Sequence, residues 1–371
     1  MRVLAVDIGT GTQDILLFDS SEPIENAVQL ILPSPTLVVA GRIRAATAAG
    51  QAVLLTGTLM GGGPCHWAAV DHLRAGYAVY ATPAAARTFD DDLAGVAAMG
   101  VSVVDDGDAA ARIAGGAVPV VMRDFDPGAI LAALAGFGVD PSVDALAVAV
   151  FDHGDAPPGV SDRRFRFDYL AERLQAGARS ELADFAFMRD AIPPTMTRMQ
   201  AAAASATGPL ADLPLLAMDT GPAAVLGALE DGAVRAAAAG QGALVVNAGN
   251  FHTLAFHLTE GKVAGLFEHH TGELTEDQLS GLLARLAAGT LTNAEVFDTQ
   301  GHGALVLDPS TRAPQLCAVT GPRRQKVSSQ QPWPVHLAVP HGDMMLTGCF
   351  ALLRALAHHW APAREAITAG L

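Results

Sequence analysis

Residues 4–19 read Leu-Ala-Val-Asp-Ile-Gly-Thr-Gly-Thr-Gln-Asp-Ile-Leu-Leu-Phe-Asp, and this stretch decides the fold. An apolar run ends at Asp7, a turn rich in glycine and threonine follows, and a second apolar run leaves the turn. Apolar runs on either side of a glycine turn predict two neighbouring strands. The turn between them either serves as a phosphate loop or only reverses the chain.

The turn carries the groups that a phosphate needs. Gly9 and Gly11 have no Cβ, so backbone N–H groups at these positions can approach a phosphate closely. Thr10 and Thr12 add hydroxyl donors, and the carboxylate of Asp7 stands where it could hold Mg²⁺ through water. Because the aspartate and two Gly-Thr pairs occur together, we favour the phosphate loop and take Asp7 as a candidate catalytic residue.

This pattern resembles the first phosphate loop of the superfamily that contains actin, the acetate and sugar kinases and the heat-shock chaperone ATPases. The resemblance implies an α/β protein with the two-lobed actin-like ATPase fold, which is ribonuclease H-like and has mixed sheets flanked by helices. It also implies ATP and Mg²⁺ as cofactors, with the nucleotide between the lobes. One loop alone is therefore insufficient, and the second half of the chain should supply another.

Composition limits the class of protein. The chain has 371 residues, half of them hydrophobic, which suggests two domains of ordinary size. The net charge of −15 argues against nucleic acid or an anionic membrane as a partner. The three cysteines form no CxxC or CxxxCxxC motif, so we expect free thiols and no iron–sulfur cluster. We see no signal peptide or long apolar run, and expect a cytoplasmic protein without a membrane span.

The chain divides into two parts of different pattern. Short β-like runs alternate with alanine-rich helical stretches in the first half, which predicts an α/β domain with a largely parallel sheet. We expect an N-terminal lobe over residues 1–210 and a C-terminal lobe over residues 211–371, which begins with a strand at 215–218. The second lobe should hold the second phosphate loop and a nucleotide-site helix near its end.

A second candidate loop lies in the second half. Residues 219–228, Asp-Thr-Gly-Pro-Ala-Ala-Val-Leu-Gly-Ala, resemble the Ser-Gly-Pro-Ala-Gly-Gly-x-x-Gly-Ala segment of hydantoinase A and 5-oxoprolinase. In those proteins the second phosphate loop, Asp-x-Gly-Gly-Thr-Ser-Thr, follows at a similar distance, and here residues 247–253 read Asn-Ala-Gly-Asn-Phe-His-Thr. The resemblance implies that the nucleotide contacts this loop through Asn247, Gly249, Asn250 and His252.

This second loop departs from the pattern that it resembles. Asn247 stands where the family has a carboxylate, and Asn250 and Phe251 replace a glycine and a hydroxyl. The loop should still turn. Whether ATP is hydrolysed or only bound stays open at this stage.

Two further glycine segments are candidates for anion contacts. One lies around the start of a helix predicted over residues 344–360 and consists of Gly342-Asp343 and Gly348. It resembles the superfamily's third nucleotide element, in which backbone amides at a helix N-terminus favour anions. Gly342-Asp343 could equally be only the N-cap of that helix. Residues 60–64, Met-Gly-Gly-Gly-Pro, could bind an anion or simply turn the chain. Basic clusters at residues 163–166 and 321–326 either attract an anionic substrate or form a solvated face.

Over nearly its full length the chain resembles a family of archaeal and bacterial proteins called pyruvate formate-lyase-activating proteins. The resemblance rests on residues 60–64, 79–83, 267–272, 301–304 and 340–345. The family name implies radical chemistry, but the cysteine triplet which that chemistry requires is absent.

Histidines stand beside glycines at many predicted turns: His153, His252, His269, His270, His302 and His341. Near neutral pH an imidazole can act as a general base or a metal ligand. The spacings HxH and HExxH do not occur, so a metal site would have to be assembled from distant segments. Our candidate metal ligands are His269, His270, His302 and His341, and His153 is a candidate catalytic residue.

Carboxylates at the ends of buried strands are the other candidates for catalysis. Asp152 and Asp155 follow an apolar strand, and Asp219 follows another. A kinase or hydrolase needs a carboxylate to orient or deprotonate the attacking hydroxyl or water. Turn and N-cap roles are equally compatible with each of them.

These observations favour a nucleotide-binding enzyme that hydrolyses ATP or transfers its phosphoryl group to a small molecule. Two alternatives remain: an amide hydrolase with a metal site, similar to hydantoinase and oxoprolinase, and a non-catalytic accessory protein with a degenerate nucleotide cleft. We expect a nucleotide and a small-molecule substrate as partners. The sequence leaves formation of a homo-oligomer open.

Overall fold

The computed structural model describes residues 1–157, 159–310, 312–327 and 331–371. Within these ranges the strands are β1 (Arg2–Ile8), β2 (Thr12–Asp19), β3 (Val28–Pro33), β4 (Val53–Gly57), β5 (Val79–Ala81), β6 (Ser102–Val103), β7 (Val118–Met122), β8 (Ala145–Val150), β9 (Ala186–Met188), β10 (Leu215–Asp219), β11 (Ala243–Ala248), β12 (His252–Thr259), β13 (Lys262–His270), β14 (Gly303–Val306), β15 (Leu316–Thr320) and β16 (Val335–Leu337).

The helices of the described ranges flank these strands. They are α1 (Pro35–Ala48), α2 (Pro64–Arg74), α3 (Pro83–Ala86), α4 (Leu93–Ala98), α5 (Asp106–Ala114), α6 (Pro127–Gly136), α7 (Asp162–Arg173), α8 (Thr197–Ala204), α9 (Thr220–Ala228), α10 (Gly232–Ala239), α11 (Glu276–Ala287), α12 (Asn293–Phe297), α13 (Thr347–His359) and α14 (Ala361–Gly370). None of them combines the length and the apolar character needed to cross a bilayer.

Two six-stranded sheets share the topology of five of their strands. The first sheet has the order β3-β2-β1-β8-β10-β9, and the second has the order β14-β13-β12-β11-β15-β16. In each, an antiparallel meander of three strands (β1–β3 or β11–β13) is extended by two parallel strands, β8 and β10 or β15 and β16. Numbered along the chain, these five strands have the order 3-2-1-4-5 in both sheets. The sixth strand differs, because β9 lies beside β10 in the first sheet and β14 lies beside β13 in the second. The fold is therefore the two-lobed actin-like ATPase fold that the opening stretch predicts.

A third sheet, β6-β5-β4-β7, is inserted between β3 and β8, and all its neighbouring strands are parallel. The largely parallel sheet expected for the first half is thus a small separate sheet, with its own core around Val53, Leu55 and Val120. The first sheet is mixed because β1 to β3 are joined by short connections, residues 9–11 and 20–27, which are shorter than the crossover that parallel strands need.

Sheet membership does not follow the order of the chain. Strand β10, which begins the predicted C-terminal lobe at residues 211–371, pairs with β8 in the first sheet. Helix α13 near the C-terminus also packs on the first sheet, against β1 and β8, and its Cys349 and Leu352 are fully buried there. Chain order and sheet order therefore differ, and the lobe limits at residues 210 and 211 stay a prediction.

Candidate functional site

The turn between β1 and β2 is closed by a backbone hydrogen bond, 2.9 Å long, from the N–H of Gly9 to the carbonyl of Thr12. Strands β1 and β2 pair up to Ile8 and Gln13, so four residues form the turn. In this register Asp7 lies directly opposite Asp14. Two carboxylates on neighbouring strands therefore stand at the base of the first glycine turn.

The turn between β11 and β12 has the same construction. The N–H of Gly249 donates to the carbonyl of His252 at 2.9 Å, and the strands pair up to Ala248 and Thr253. Asn247 occupies the position of Asp7, and Leu254 lies opposite it where the first turn has Asp14. The second turn thus repeats the backbone of the first turn without its two carboxylates.

The two turns face each other across a cavity of about 280 Å³. A Cβ on Gly11 would lie 2.5 Å from Nδ2 of Asn250, which shows how closely the turns approach. The cavity is just below the usual size range of small-molecule sites, roughly 300–1,000 Å³. Its walls are completed by glycines 61–63, residues 320–322, and Met344, Met345, Thr347 and Gly348.

Asp7 and Asp14 give the cavity its acidic wall. Oδ1 of Asp7 accepts a hydrogen bond from Oγ1 of Thr220 at 2.6 Å, while Oδ1 of Asp14 is buried without a hydrogen-bond partner among the described residues. Burial, with the nearby charge of Asp219, raises the pKa of Asp7 to about 6, and burial beside Asp7 raises that of Asp14 to about 7. Carboxylate oxygens held close together without a cation raise each other's pKa and are the ligands that Mg²⁺ prefers. The pair therefore fits Mg²⁺.

Replacing Asp14 with asparagine should remove a pH dependence of stability. Because its pKa rises from 3.8 to about 7 on folding, Asp14 costs no stability at acid pH but destabilises the metal-free fold as pH rises through this window. Between pH 5 and pH 8 the wild type should lose about 1–2 kcal/mol relative to Asp14→Asn, counting about 1.4 kcal/mol per pKa unit and discounting for partial exposure. Urea unfolding without Mg²⁺ at both pH values measures this, and a difference independent of pH would contradict it.

The glycine loop of residues 61–63 lies in the cavity wall and is held there by an ion pair. The N–H of Gly61 donates to both carboxylate oxygens of Asp124, at 3.1 and 3.2 Å. Arg198 binds the same carboxylate at 2.7 Å and 3.1 Å, and donates to the carbonyl of Phe151 at 2.6 Å. Of the described residues that line the cavity, only Arg198 is an arginine or lysine. The loop is thus a structured part of the site.

Phe251 in the second turn, where the resembling family has a hydroxyl, packs against the start of helix α2 beside the inserted sheet. A Cβ on Gly63 would stand 2.7 Å from its ring, and the ring lies edge-on to Trp67 at 5.4 Å between centroids. The ring of Phe251 therefore forms the wall of the cavity on the side of α2.

Arg166, from the basic cluster at residues 163–166, is fully buried. It therefore belongs neither to a solvated face nor to an open binding site for an anion. It pairs with both oxygens of Asp219, with Glu268 at 2.8 Å and 2.9 Å, and with the carbonyl of Asp152 at 2.9 Å. Its guanidinium also stacks 3.8 Å from the centroid of Phe151. Because Asp219 ends β10 and Glu268 lies in β13, this network joins the first sheet to the second.

Two of the three candidate general bases, Asp152 and Asp219, already accept hydrogen bonds from backbone N–H groups or from Arg166. Asp219 also accepts from the N–H of Gly221 at 2.9 Å as the N-cap of α9. Asp152 accepts from the N–H groups of Gly154 at 2.9 Å and Met199 at 2.8 Å, with one oxygen for each. Asp155 is exposed. In this geometry Asp152 and Asp219 hold the structure together, and their catalytic role stays a prediction.

Four histidines meet beside the cavity: His153, His252, His270 and His302. The ring of His252 lies 5.0 Å from that of His302, 5.1 Å from that of His270 and 6.0 Å from that of His153, between centroids. His252 also stacks on Phe151 at 4.1 Å. Burial lowers the pKa of His153 to about 3 and holds the pKa of His252, His270 and His302 below the usual value, so the rings are neutral at pH 7.

The remaining candidates lie apart from this cluster. His269 is buried and hydrogen-bonded to Thr299 at 3.2 Å and to the carbonyl of His270 at 3.1 Å. His341 packs on Phe350 at 4.7 Å and stands 3.7 Å from Glu230. Gly348 lines the cavity, where a Cβ would lie 1.9 Å from Oδ2 of Asp7. Gly342 and Asp343 are outside the lining, although Asp343 caps the segment before α13 by accepting from Met345 at 2.7 Å.

Residues 60–326 match the family model described as "Putative pyruvate format-lyase activating enzyme (DUF1786)". The chain belongs to this family. The resemblance drawn from the glycine and histidine motifs is therefore confirmed. In this member the cysteines Cys65, Cys317 and Cys349 are buried in α2, β15 and α13.

Comparison with solved structures gives distant matches. One is the inorganic polyphosphate/ATP-glucomannokinase of Arthrobacter sp. strain KM, at 13% identity and a TM-score of 0.39, over 96% of this chain and 99% of that chain. Another is nucleotide-free acetone carboxylase, at 11% identity and a TM-score of 0.21, over 71% of this chain and 45% of that chain. Curated proteins give no match. Matches at these TM-scores assign no activity to this chain.

Several residues of the site carried little signal in the sequence. Asp14 belongs to the opening stretch, where it is a polar residue before the second apolar run, and that contrast could have marked it. Arg198 and Glu268 have no local motif that indicates a cavity. Their position follows from the packing of α8 and from the register of β13, which only the tertiary structure shows.

Proposed function

We propose that this protein binds ATP with Mg²⁺ in the cavity between the two glycine turns, and transfers the terminal phosphoryl group to water or to a small molecule. One observation carries the proposal: two turns of identical backbone construction, one from each sheet, face each other across a cavity whose wall holds Asp7 and Asp14. Backbone amides of glycine turns form concave sites for anions, and a carboxylate pair suits the cation that accompanies a polyphosphate.

Each element would have a distinct task. The amides of residues 10–12 and 250–252 would bind phosphate oxygens, since the N–H groups of Gly9 and Gly249 close the turns, and Asp7 and Asp14 would hold Mg²⁺, directly or through water. Mg²⁺ would neutralise charge on the phosphates during transfer. Thr220 orients Asp7, and Gly348 leaves room beside it because any side chain would overlap the carboxylate. Catalysis in such a site comes mainly from positioning and from electrostatic stabilisation.

A second candidate function is nucleotide binding without turnover, as in an accessory protein. Asn247 favours it, because this residue replaces a carboxylate in the second turn. Its neighbourhood is also tight, since a Cβ on Gly321 would lie 2.6 Å from Oδ1 of Asn247. The two functions differ in one readout, because both predict ATP binding and only the first predicts release or transfer of phosphate.

Calorimetric titration of the purified chain with ATP, with and without Mg²⁺, tests the proposal. We expect one nucleotide per chain and tighter binding with Mg²⁺. Gly11→Val should weaken binding at least tenfold, which corresponds to about 1.4 kcal/mol, because the side chain would enter the gap beside Asn250. Gly41→Ala, at a helical site with no atom within 4 Å of the added Cβ, is the matched control. Absence of binding in the wild type, or full binding in Gly11→Val, would refute the proposal.

A further inference from the structure

We propose that His153, His252 and His302 form a binding site for one divalent transition-metal ion of the Zn²⁺ class, with an open coordination position towards the cavity. This site is separate from the carboxylate pair at the first turn, and it does not depend on nucleotide binding. It would join the two lobes, because His153 follows β8 of the first sheet, whereas His252 begins β12 of the second.

The geometry of the three rings is close to that of a metal site. One ring nitrogen from each histidine lies within 4.8 Å of the others. In a tetrahedral site with Zn–N bonds of about 2.0–2.1 Å, such nitrogens stand about 3.4 Å apart. Rotation of the rings over about 1 Å would therefore bring them to bonding distance. His153 and His252 line the cavity, so a ligand or water could reach a fourth position.

His302 gives an independent indication that a ligand belongs there. Its side chain is 1% exposed, and neither ring nitrogen has a hydrogen-bond partner among the described residues. A buried polar group left without a partner costs about 1–3 kcal/mol, which a bound cation would remove. Nδ1 of His302 stands 3.5 Å from Oε1 of Glu268. A carboxylate on that side of the ring would direct Nε2 towards the metal, as outer-shell carboxylates do.

The protonation state and the charge of the surroundings support the same site. Metal ligands must be neutral imidazoles, and burial together with the neighbouring histidines and arginines keeps these three rings neutral. The nearest ion network, Arg166 with Asp219 and Glu268, carries one net negative charge when both carboxyls are ionised.

The donor set selects the class of metal. Three imidazoles without a thiolate suit Zn²⁺ and similar borderline ions, whereas Mg²⁺ prefers oxygen ligands. Another group of possible ligands, Asp184, His358 and His359, is a weaker candidate. Nε2 of His359 is already hydrogen-bonded to the carbonyl of Ala183 at 2.9 Å, and the His358 side chain is 42% exposed. This second group provides the control.

Titration of the metal-free full-length chain with Co²⁺, followed by competition with Zn²⁺, tests the proposal. We expect one Co²⁺ per chain with the intense visible absorption of a four-coordinate site, displaced by Zn²⁺. His302→Ala and His153→Gln should weaken binding about 100-fold or more and abolish this absorption, while His358→Ala should leave both unchanged.

Folding of each variant is checked by circular dichroism. If His302→Ala does not fold, the half-buried His153→Gln decides the outcome. The proposal is overturned if the wild type binds no Co²⁺ or shows only the weak absorption of a six-coordinate ion. It is equally overturned if a folded His153→Gln binds like the wild type, or if His358→Ala removes the absorption.

Discussion

Replacing Arg166 with methionine is expected to lower the free energy of unfolding by about 3–5 kcal/mol. Arg166 is fully buried and binds Asp219 and Glu268, which are both fully buried as well. Without the guanidinium, two carboxylates would remain in a low-dielectric interior with no cation to offset them. The substitution would also remove the link between β10 of the first sheet and β13 of the second.

Urea unfolding at pH 7 measures the effect, with Arg285→Met as the control. Arg285 pairs with Glu295 at the surface, where it is 47% exposed, so its loss should cost at most about 1 kcal/mol. The Arg166→Met protein should recover part of its stability at acid pH, because protonation removes the uncompensated charge on the two carboxyls. If the free energy of unfolding of Arg166→Met is within about 1 kcal/mol of the wild-type value, the network is not the main link between the two sheets.

Local sequence patterns predicted the individual elements well, since periodicity and turn residues act over short distances. The strand expected at residues 215–218 is β10 (Leu215–Asp219), and the helix expected over residues 344–360 is α13 (Thr347–His359). The order of strands within a sheet depends on contacts between distant segments. For that reason the chain pattern could not show that β10 pairs with β8 in the first sheet.

The two glycine turns show a different limit of the sequence. The two glycine turns have equal length and the same closing hydrogen bond, but their residues differ at the positions of Asp7 and Asp14. A backbone can repeat while its side chains diverge, because turn geometry requires little more than glycine at one position. The resemblance predicts a phosphate loop at each position; the chain has a glycine turn at both, and only the first carries the acidic wall.

The histidine cluster shows the limit of the sequence most clearly. Glycine neighbours predicted that several histidines lie in turns, but could not decide which of them meet. The register of the second sheet does so, because His252 pairs with His270 and Gly303, next to His302, pairs with Glu268. The same register leaves His269 hydrogen-bonded to Thr299 instead.

Replacing Asp7 with asparagine should remove the contribution of Mg²⁺ to ATP binding without weakening the fold. Asparagine is nearly isosteric and can still accept the hydrogen bond from Thr220. Since burial raises the pKa of Asp7 to about 6, its charge destabilises the metal-free protein above that pH, and the variant should be at least as stable as the wild type at pH 8. A loss of binding therefore could not be attributed to unfolding.

The effect on ATP binding follows from the loss of the negative charge that holds Mg²⁺ at residue 7. With Asp7→Asn, ATP should bind about equally with and without Mg²⁺, and any phosphate release measured in the wild type should fall about 100-fold or more, as when a stabilising group is removed from a transition state. Asp212→Asn, at an exposed position remote from the cavity lining, should change neither quantity. If Mg²⁺ strengthens ATP binding to Asp7→Asn as much as it does for the wild type, then Asp7 does not hold the cation. The acidic wall at the first turn would then have to serve a ligand other than a magnesium nucleotide.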